Sequence, residues 1–135
     1  NHWVQVAGVI YPSPTNPANS VTIAYVDGVQ LSNFSSEELN NLPCSGNLPL
    51  SIDVGGGSSF DGSIANVQIY NTALSANDIK ALYQEGIGGA PIKIQNLVGW
   101  WPLNGNANDY SGNDNNGVAN GVTYTNNWYS GYTAP

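Results

Sequence analysis

The clearest hydrophobic pattern lies in residues 60–86, where a strand pattern runs directly into a helix pattern. Ile64, Val67 and Ile69 are β-branched residues, which favour a pleated strand. Their alternation slips once, because Ile64 falls on one face and the other two fall on the opposite face. The slip predicts either a strand covered on both faces or a bulge near Ala65-Asn66 that turns the strand over.

A short helix is predicted over Ala76–Glu85. Ser75 stands before it and Asp78 follows three residues later, which supplies both partners of a capping box. Gly86 is placed to end the helix. One apolar stripe repeats at helical spacing and predicts the face that packs on a core: Ile79, Leu82 and Tyr83.

The remaining apolar positions alternate over short stretches between turn residues. The predicted strands are Trp3–Ile10 and the ranges 21–26, 29–31, 48–54, 97–103 and 118–124. Asp27-Gly28 has the pattern of a two-residue hairpin turn. Residues 11–20 hold three prolines and predict a projecting loop, and residues 35–42 predict one helical turn before Pro43. About seven strand candidates suffice for a small two-layer sandwich.

Residues 60–83 also resemble the closing strand and helix of laminin G-like domains, which are concanavalin A-like jelly rolls. The residues that match the family pattern are Phe60, Gly62, Ile64, Val67, Ile69, Tyr70, Asn71, Ala73, Leu74, Ser75, Asp78, Ile79, Leu82 and Tyr83. Two earlier segments resemble the same family, at Trp3, Val6 and Ala7 and at residues 25–28. The resemblance implies an all-β jelly-roll sandwich with one short helix.

Residues 97–124 resemble the opening of the same family. The matching turn, D-x-S-G-N-x-x-x-G, holds Asp109, Ser111, Gly112, Asn113 and Gly117. We predict a single laminin G-like domain over residues 1–135, in which 1–86 carry the late half of the family pattern, 87–96 are a connector and 97–135 carry the early part. A circular permutation, a window across two tandem repeats and a C-terminal piece of a larger surface protein all fit this order. The order is also similar to that of laminin G-like surface and pilin-like proteins of archaea.

The strands that the family places between these two halves are absent from this order. A jelly roll without them exposes sheet edges with unpaired N–H and C=O groups, which invite pairing with another chain. The sequence therefore also predicts that neighbouring copies complete the sheets by strand addition and build an oligomer or a fibre.

Composition narrows the range of partners. Two lysines and no arginine stand against nine acidic residues, so the net charge is −7. This charge repels phosphate backbones and anionic lipid, which excludes nucleic acid as a partner. No apolar run reaches transmembrane length. Cys44 is the single cysteine, so an internal disulfide is excluded. Asn, Gly, Ser and Thr solubilise the chain in place of charges, which is common on secreted or surface-exposed β proteins.

Oxygen ligands cluster in the polar turn that follows residue 103. Asp109, Asn113 and Asp114 offer the carboxylate and amide oxygens that Ca²⁺ prefers, and in the laminin G-like family the D-x-S-G-N turn helps hold calcium. The sequence departs from the family at Ala65 and Asn66, where many relatives carry acidic residues. A calcium site at the three turn residues is one prediction, and an Asx turn that satisfies its own backbone is the alternative.

Aromatic side chains offer flat faces to sugar rings. Trp100 and Trp101 could serve in this way, but they lie in a predicted strand, so we expect at least one of them in the core. The candidate ligand-binding residues are Tyr11, Trp128, Tyr129 and Tyr132, the last three of which lie in a polar tail. Asn33 begins an N-x-S sequon and is the predicted glycosylation site of an exported chain.

Catalytic side chains do not form a recognisable constellation. His2 is the single histidine and lies beside Trp3, where a structural or incidental role is expected. Glu37 and Glu38 are adjacent, whereas glycosidase carboxylates face each other across a cleft. The glycine run at residues 55–57 lacks the lysine that a phosphate-binding loop needs.

These observations predict a non-catalytic recognition or adhesion module, extracellular or on the cell surface, that binds a glycan or another surface protein. The alternative is a structural subunit of a surface filament or pilus-like fibre, assembled from copies of the chain by strand sharing. Calcium is the one cofactor that the sequence predicts. Binding to nucleic acid and membrane insertion of this segment are not expected.

Overall fold

The computed structural model describes residues 2–13, 15, 20–31, 50–52 and 60–125. These residues form five strands and one α-helix, together with a short 3₁₀ turn at Ile94–Asn96. The elements in chain order are β1 (Val6–Pro12), β2 (Ser20–Val26), β3 (Val29–Gln30), β4 (Val67–Tyr70), α1 (Ala76–Glu85) and β5 (Leu97–Trp101). All strand pairs are antiparallel, so the described part of the chain has the predicted β character with one short helix.

β1, β2 and β3 form a three-stranded sheet in that order. β1 pairs with β2 along its whole length, with Val6 opposite Val26 at one end. The β2–β3 connection has a φ of 50° at Asp27 and of 74° at Gly28. Positive φ at both central residues defines a type I′ hairpin turn, which confirms the predicted two-residue turn.

The hydrophobic core lies between one face of this sheet and α1. Its buried residues are Val9, Tyr25, Leu74 and Ile79, and the residues packed against them are Ala7, Tyr11, Ile23, Tyr70 and Leu82. Ile79 is only 3% exposed, and burying such a side chain stabilises a fold by roughly 1.5–3 kcal/mol. The predicted apolar stripe of the helix is therefore the face that packs on the sheet.

Both ends of α1 carry the predicted signals. Ser75 is the N-cap: its Oγ accepts the N–H of Asp78 at 3.2 Å, and its own N–H donates to Asp78 Oδ2 at 2.9 Å. At the other end, Gly86 has a φ of 78° and donates its N–H to Tyr83 O. Lys93 Nζ lies 2.6 Å from Asp78 Oδ2, so the chain that follows the helix is tied back to the start of the helix.

β4 and β5 form a two-stranded sheet in which Val67 lies opposite Trp101. The strand predicted from Phe60 begins only at Val67, and Ile64 lies outside the sheet. Asn66 has a φ of 53°, a left-handed conformation that interrupts the extended backbone. The slip in the hydrophobic alternation therefore coincides with the left-handed residue Asn66. The irregularity in the β4–β5 pairing lies between Ile69 and Tyr70, and not near Ala65-Asn66, where a bulge was one of two predictions.

Other strand boundaries are corrected by the structure. β1 begins at Val6 and runs to Pro12, inside the predicted proline loop, because an edge strand tolerates a residue without an N–H. β5 ends at Trp101, directly before Pro102. Of the strand predicted over 48–54, the described residues 50–52 lie outside the strands. The helical turn predicted over 35–42 falls outside the described residues.

The strand predicted over residues 118–124 is wrong. Val118 is 85% exposed, and Gly121 has a φ of 66°, which breaks an extended backbone. Alternating side chains favour a strand only where a neighbouring strand supplies hydrogen-bond partners. No described strand pairs with this segment.

We expect Gly28→Ala to destabilise the protein by about 1–2 kcal/mol, because an L-residue resists a positive φ. An added Cβ would also lie 3.2 Å from Tyr83 Cβ on α1. Urea unfolding followed by circular dichroism measures the loss. Gly8→Ala is the matched control, since no atom lies within 4 Å of a Cβ added there. Equal stability of the two variants would contradict the close packing of α1 on the hairpin.

We expect the stability of the protein to depend on pH through Asp78, at the start of α1. The hydrogen bond from Lys93, followed by those from Ser75, lowers the pKa of Asp78 from 3.8 to about 2. The stability from the ionised carboxylate is therefore complete above pH 3.8 and is lost as the pH falls through about 2. Urea midpoints of the wild type and of Asp78→Asn should differ at pH 6 and converge in strong acid. A difference between the two midpoints that stays the same at every pH would contradict this role of Asp78. Asp61→Asn is the control, since it removes a carboxylate away from the helix start.

Candidate functional site

The polar loop after β5 folds back along the free edge of that strand. Asp109 Oδ1 accepts the N–H of Trp100 at 2.9 Å and the N–H of Ser111 at 2.8 Å. Asp109 Oδ2 accepts the N–H of Asn115 and the hydroxyl of Ser111, each at 2.9 Å. One carboxylate thus joins the strand edge to both arms of the loop.

Two asparagine side chains extend this contact along β5. Asn113 Nδ2 donates to Leu97 O at 2.9 Å and to Val98 O at 3.1 Å, and Asn115 Nδ2 donates to Val98 O at 2.9 Å. These side chains take the place of a neighbouring strand, which would otherwise pair with the edge. We call Asp109, Ser111, Asn113 and Asn115 the edge clasp.

The edge clasp holds Asp109 as an anion. Partial burial raises the pKa of Asp109, but hydrogen bonds lower it by more, so that the pKa falls from 3.8 to about 2. The donors of these bonds are the N–H groups of Trp100, Ser111 and Asn115 and the hydroxyl of Ser111. Donors that converge on a carboxylate provide a positive local potential, which suits an anion and repels a cation. This geometry favours the Asx-turn alternative, in which the loop satisfies its own backbone.

The calcium site at Asp109, Asn113 and Asp114 stays a prediction. The oxygens of Asp109 already accept four hydrogen bonds within the clasp. Asp114 is exposed and has a φ of 57°. Among the described residues, no group of three or more His, Cys, Asp or Glu side chains is arranged to hold a metal ion.

A groove of about 330 Å³ opens beside the clasp, on the β4–β5 sheet. Its walls include Asn66, Gly88, Gly89, Trp100, Pro102, Asn104 and Tyr110. The rings of Trp100 and Tyr110 meet edge to face, with centroids 6.2 Å apart and planes at 66°. Tyr110 is 55% exposed, so this aromatic groove presents ring surface to solvent.

Asn66 fixes the indole of Trp100 in the aromatic groove. Its Oδ1 accepts Trp100 Nε1–H at 2.8 Å and Gln68 Nε2–H at 3.0 Å, while its Nδ2 donates to Gly89 O at 3.3 Å. Tyr70 Oη–H in turn donates to Gln68 Oε1 at 2.8 Å. Because each partner is held by another hydrogen bond, the ring orientation is set before any ligand arrives.

The two adjacent tryptophans have different positions. Trp101 is buried, its ring lies over Gly99, and its Nε1–H donates to Asn115 O at 2.9 Å. Trp100 is half-buried and lines the groove. The prediction that at least one of the two lies in the core is therefore confirmed by Trp101. Neighbouring side chains of a strand point to opposite faces of the sheet. This alternation is the signal in the sequence that distinguishes the two tryptophans.

The other predicted site residues lie apart from the aromatic groove or outside the described residues. Tyr11 is half-buried and packs against the core between the three-stranded sheet and α1. Trp128, Tyr129, Tyr132, Asn33 and Cys44 fall outside the described residues. The predictions for the tail aromatics, for glycosylation at Asn33 and for ligand binding at Tyr11 stay predictions.

A second hollow of about 470 Å³ lies between the hairpin turn and α1, lined in part by Asp27, Lys80 and Tyr83. The ring of Tyr83 contacts the position of Gly28 there, with its Cδ1 3.3 Å from where a Cβ would stand. This aromatic face is therefore occupied by packing between the two elements. The aromatic groove on β4–β5 is the better candidate site because it presents ring surface to solvent.

We expect Asp109→Asn to destabilise the protein, because an amide cannot accept all four hydrogen bonds and turns its own NH₂ toward donors. The loss is about 1 kcal/mol, since solvent partly replaces the missing acceptors. It should appear in urea unfolding and as a shifted amide signal of Trp100 in NMR spectra. Asp114→Asn removes the same charge five residues away and should leave both measurements unchanged. Equal effects of the two variants would contradict the clasp.

Comparison with known proteins agrees with this architecture. No curated protein and no solved structure matches the chain. Residues 1–80, which are more than half of the chain and include β1 to β4 and the start of α1, match a laminin G family model described as the concanavalin A-like lectin/glucanases superfamily. This match confirms the predicted family and its all-β fold, and the similarity to archaeal surface proteins stays a prediction. The chain belongs to the laminin G-like family of the concanavalin A-like superfamily.

Proposed function

We propose that this domain is a non-catalytic module of an extracellular or cell-surface protein that binds a neutral glycan in the aromatic groove. The family supports a binding or adhesion type of module. The observation that carries the proposal is the pair of Trp100, held by Asn66, and the exposed Tyr110. The groove places both beside uncharged hydrogen-bonding groups.

The chemistry of the groove suits a sugar. The C–H face of a pyranose ring packs on an aromatic ring, and its hydroxyl groups need donors and acceptors around that contact. Gly88 and Asn104 line the groove next to the two rings and bring uncharged polar groups to its wall. A groove of about 330 Å³ lies at the lower end of ligand clefts, which suits one or two sugar rings.

The charge of the chain selects among glycans. The residues that line the groove carry no ionisable side chain other than the phenol of Tyr110, and the whole chain has a net charge of −7. A sulfated or carboxylated sugar would find no cation in the groove and would approach an acidic protein. This supports a neutral glycan as the ligand.

The lining of the groove also supports binding without catalysis. Hydrolysis of a glycosidic bond needs two carboxyl groups on opposite sides of that bond. The residues that line the groove include no carboxylate and no histidine, so the geometry supports recognition. Within the described residues, α1 and the other helical turn fall short of the length and apolarity of a membrane span.

Two alternatives from the sequence remain open to test. A ligand surface in the tail would use Trp128, Tyr129 and Tyr132, and the partner there could be a glycan or a surface protein. A subunit of a surface filament would use strand sharing between copies. Neither alternative uses the aromatic groove, so a substitution in the groove distinguishes both of them from the proposed function.

We expect Tyr110→Ala to weaken binding of a neutral oligosaccharide about two- to tenfold, since an aromatic contact contributes about 0.5–1.5 kcal/mol. Tyr110→Phe keeps the ring and should retain the affinity. A glycan array selects the oligosaccharide, and NMR titration then measures the dissociation constant. The indole N–H signal of Trp100 should shift on binding, because this group lies at the groove.

Three results would contradict the proposal. Binding that survives Tyr110→Ala but is lost when Trp128, Tyr129 and Tyr132 become alanine would place the ligand on the tail. Preference for sulfated glycans would contradict the charge argument. An array without a neutral ligand, for a protein whose NMR spectrum shows it folded, would remove glycan binding from the proposal.

A further inference from the structure

β1 presents an open edge in the described part of the chain. It is the first strand of the β1–β2–β3 sheet and pairs only with β2. The C=O of Gln5 accepts the N–H of Asp27 at 3.0 Å, and the N–H of Gln5 donates to Asp27 Oδ1 at 2.9 Å. Both backbone groups of Gln5 therefore face the β2–β3 hairpin. The backbone N–H and C=O groups of successive strand residues point alternately to the two edges of the strand. Val6, Gly8 and Ile10 therefore direct their backbone groups away from the sheet.

The side chains along this edge are apolar and exposed. Val6 is 75% exposed and Ile10 is 53% exposed, and nothing lies within 4 Å of a Cβ added at Gly8. No residue of β1 is charged, and its one proline, Pro12, stands at the end of the strand. The edge thus lacks the internal charges, prolines and bulges that block strand pairing in other proteins.

The contrast with β5 makes this edge unusual within the molecule. The free edge of β5 is paired by the edge clasp, whose Asn113 and Asn115 side chains bond to its carbonyl groups. β1 is longer than β5, and no described strand pairs with its outer edge. Within the described part of the chain, side chains therefore close one edge, whereas the other has unpaired backbone groups.

We propose that β1 pairs with β1 of a second copy of this chain. The two strands run antiparallel about a two-fold axis at Gly8, so that Val6 lies opposite Ile10 of the partner subunit. The outward backbone groups of Val6, Gly8 and Ile10 then all find partners in one register. Each exposed valine covers an exposed isoleucine, and the two glycines meet at the axis without steric conflict.

The lack of charge on β1 supports a second copy as the occupant. A charged peptide would find no opposite charge on β1, whereas an uncharged strand meets an uncharged strand. Asp27, in the hairpin turn that follows β2, accepts the N–H of Gln5 with its carboxylate. The net charge of −7 opposes the approach of two copies, and ordinary salt screens this repulsion over about 8–10 Å.

Size and symmetry set the kind of assembly. One strand pair buries less than the roughly 1,200 Å² of a stable complex, so the dimer forms at high protein concentration or where copies are crowded on a surface. A two-fold contact uses the same edge on both subunits and closes with two copies. This edge therefore gives a dimer and not an open filament.

Sedimentation velocity between about 10 μM and 1 mM tests the proposal on the whole chain, and we expect the mean sedimentation coefficient to rise with concentration. Val6→Lys/Ile10→Lys places like charges opposite each other across the axis and should weaken the dimer at least tenfold. Val6→Lys/Ile10→Glu instead places each new ammonium group opposite a new carboxylate and should restore dimerisation. Val118→Lys/Val122→Lys adds the same two charges at exposed loop positions and should behave as the wild type.

A cysteine at the axis provides an independent test. In a Cys44→Ser background, Gly8→Cys should form a disulfide-linked dimer in air, because opposed residues in this register are about 5.5 Å apart at Cα, within the reach of a disulfide. A wild type that stays monomeric to 1 mM, or lysine and glutamate double variants that weaken the dimer equally, would overturn the proposal. So would higher oligomers that grow with concentration. Circular dichroism confirms the fold of each variant.

Discussion

Pairing of the backbone N–H and C=O groups at the strand edges is the constraint on which this structure depends, because such groups are costly to leave unpaired. The outer edge of β5 meets it through side chains, with Asp109 accepting the Trp100 N–H and Asn113 donating to the Leu97 carbonyl. Short side chains with amide or carboxylate heads are suited to this, since they reach nearby backbone groups without a further strand. The abundance of asparagine after β5 is therefore structural as well as solubilising.

The same loop connects edge pairing with the candidate binding surface. Asp109 binds the N–H of Trp100, and the next residue, Tyr110, donates its N–H to Trp100 O at 2.8 Å. The two aromatic residues of the groove are thus held by the backbone contacts that close the strand edge. Rings that are fixed in advance lose little freedom on binding, which favours affinity in a small site. The edge clasp and the aromatic groove form one structural unit.

Local signals made α1 and the hairpin predictable. The Ser75–Asp78 box, the Ile79 stripe and Gly86 all lie within twelve residues, and each reports on the same helix. The groove was not predictable in this way, because Asn66 and Trp100 meet through strand pairing across 34 residues. Hydrophobic alternation alone gave a wrong strand prediction at residues 118–124, because alternation does not show whether a partner strand is present. Family, fold class and helix thus follow from sequence, whereas the site requires the tertiary pairing.

The pairing of β4 with β5 bears on the order of the segments, for which the sequence left three explanations open. β4 lies in the segment that resembles the end of the family pattern, β5 begins the segment that resembles its start, and the two pair directly. A circular permutation moves the chain ends without moving the strands, and it is tolerated where the original ends lie close together. The connector between Gly86 and Leu97 spans that short distance and is held by the Lys93–Asp78 contact. The pairing supports a permuted single domain, which stays a prediction beside a window across two tandem repeats and a C-terminal piece of a larger surface protein.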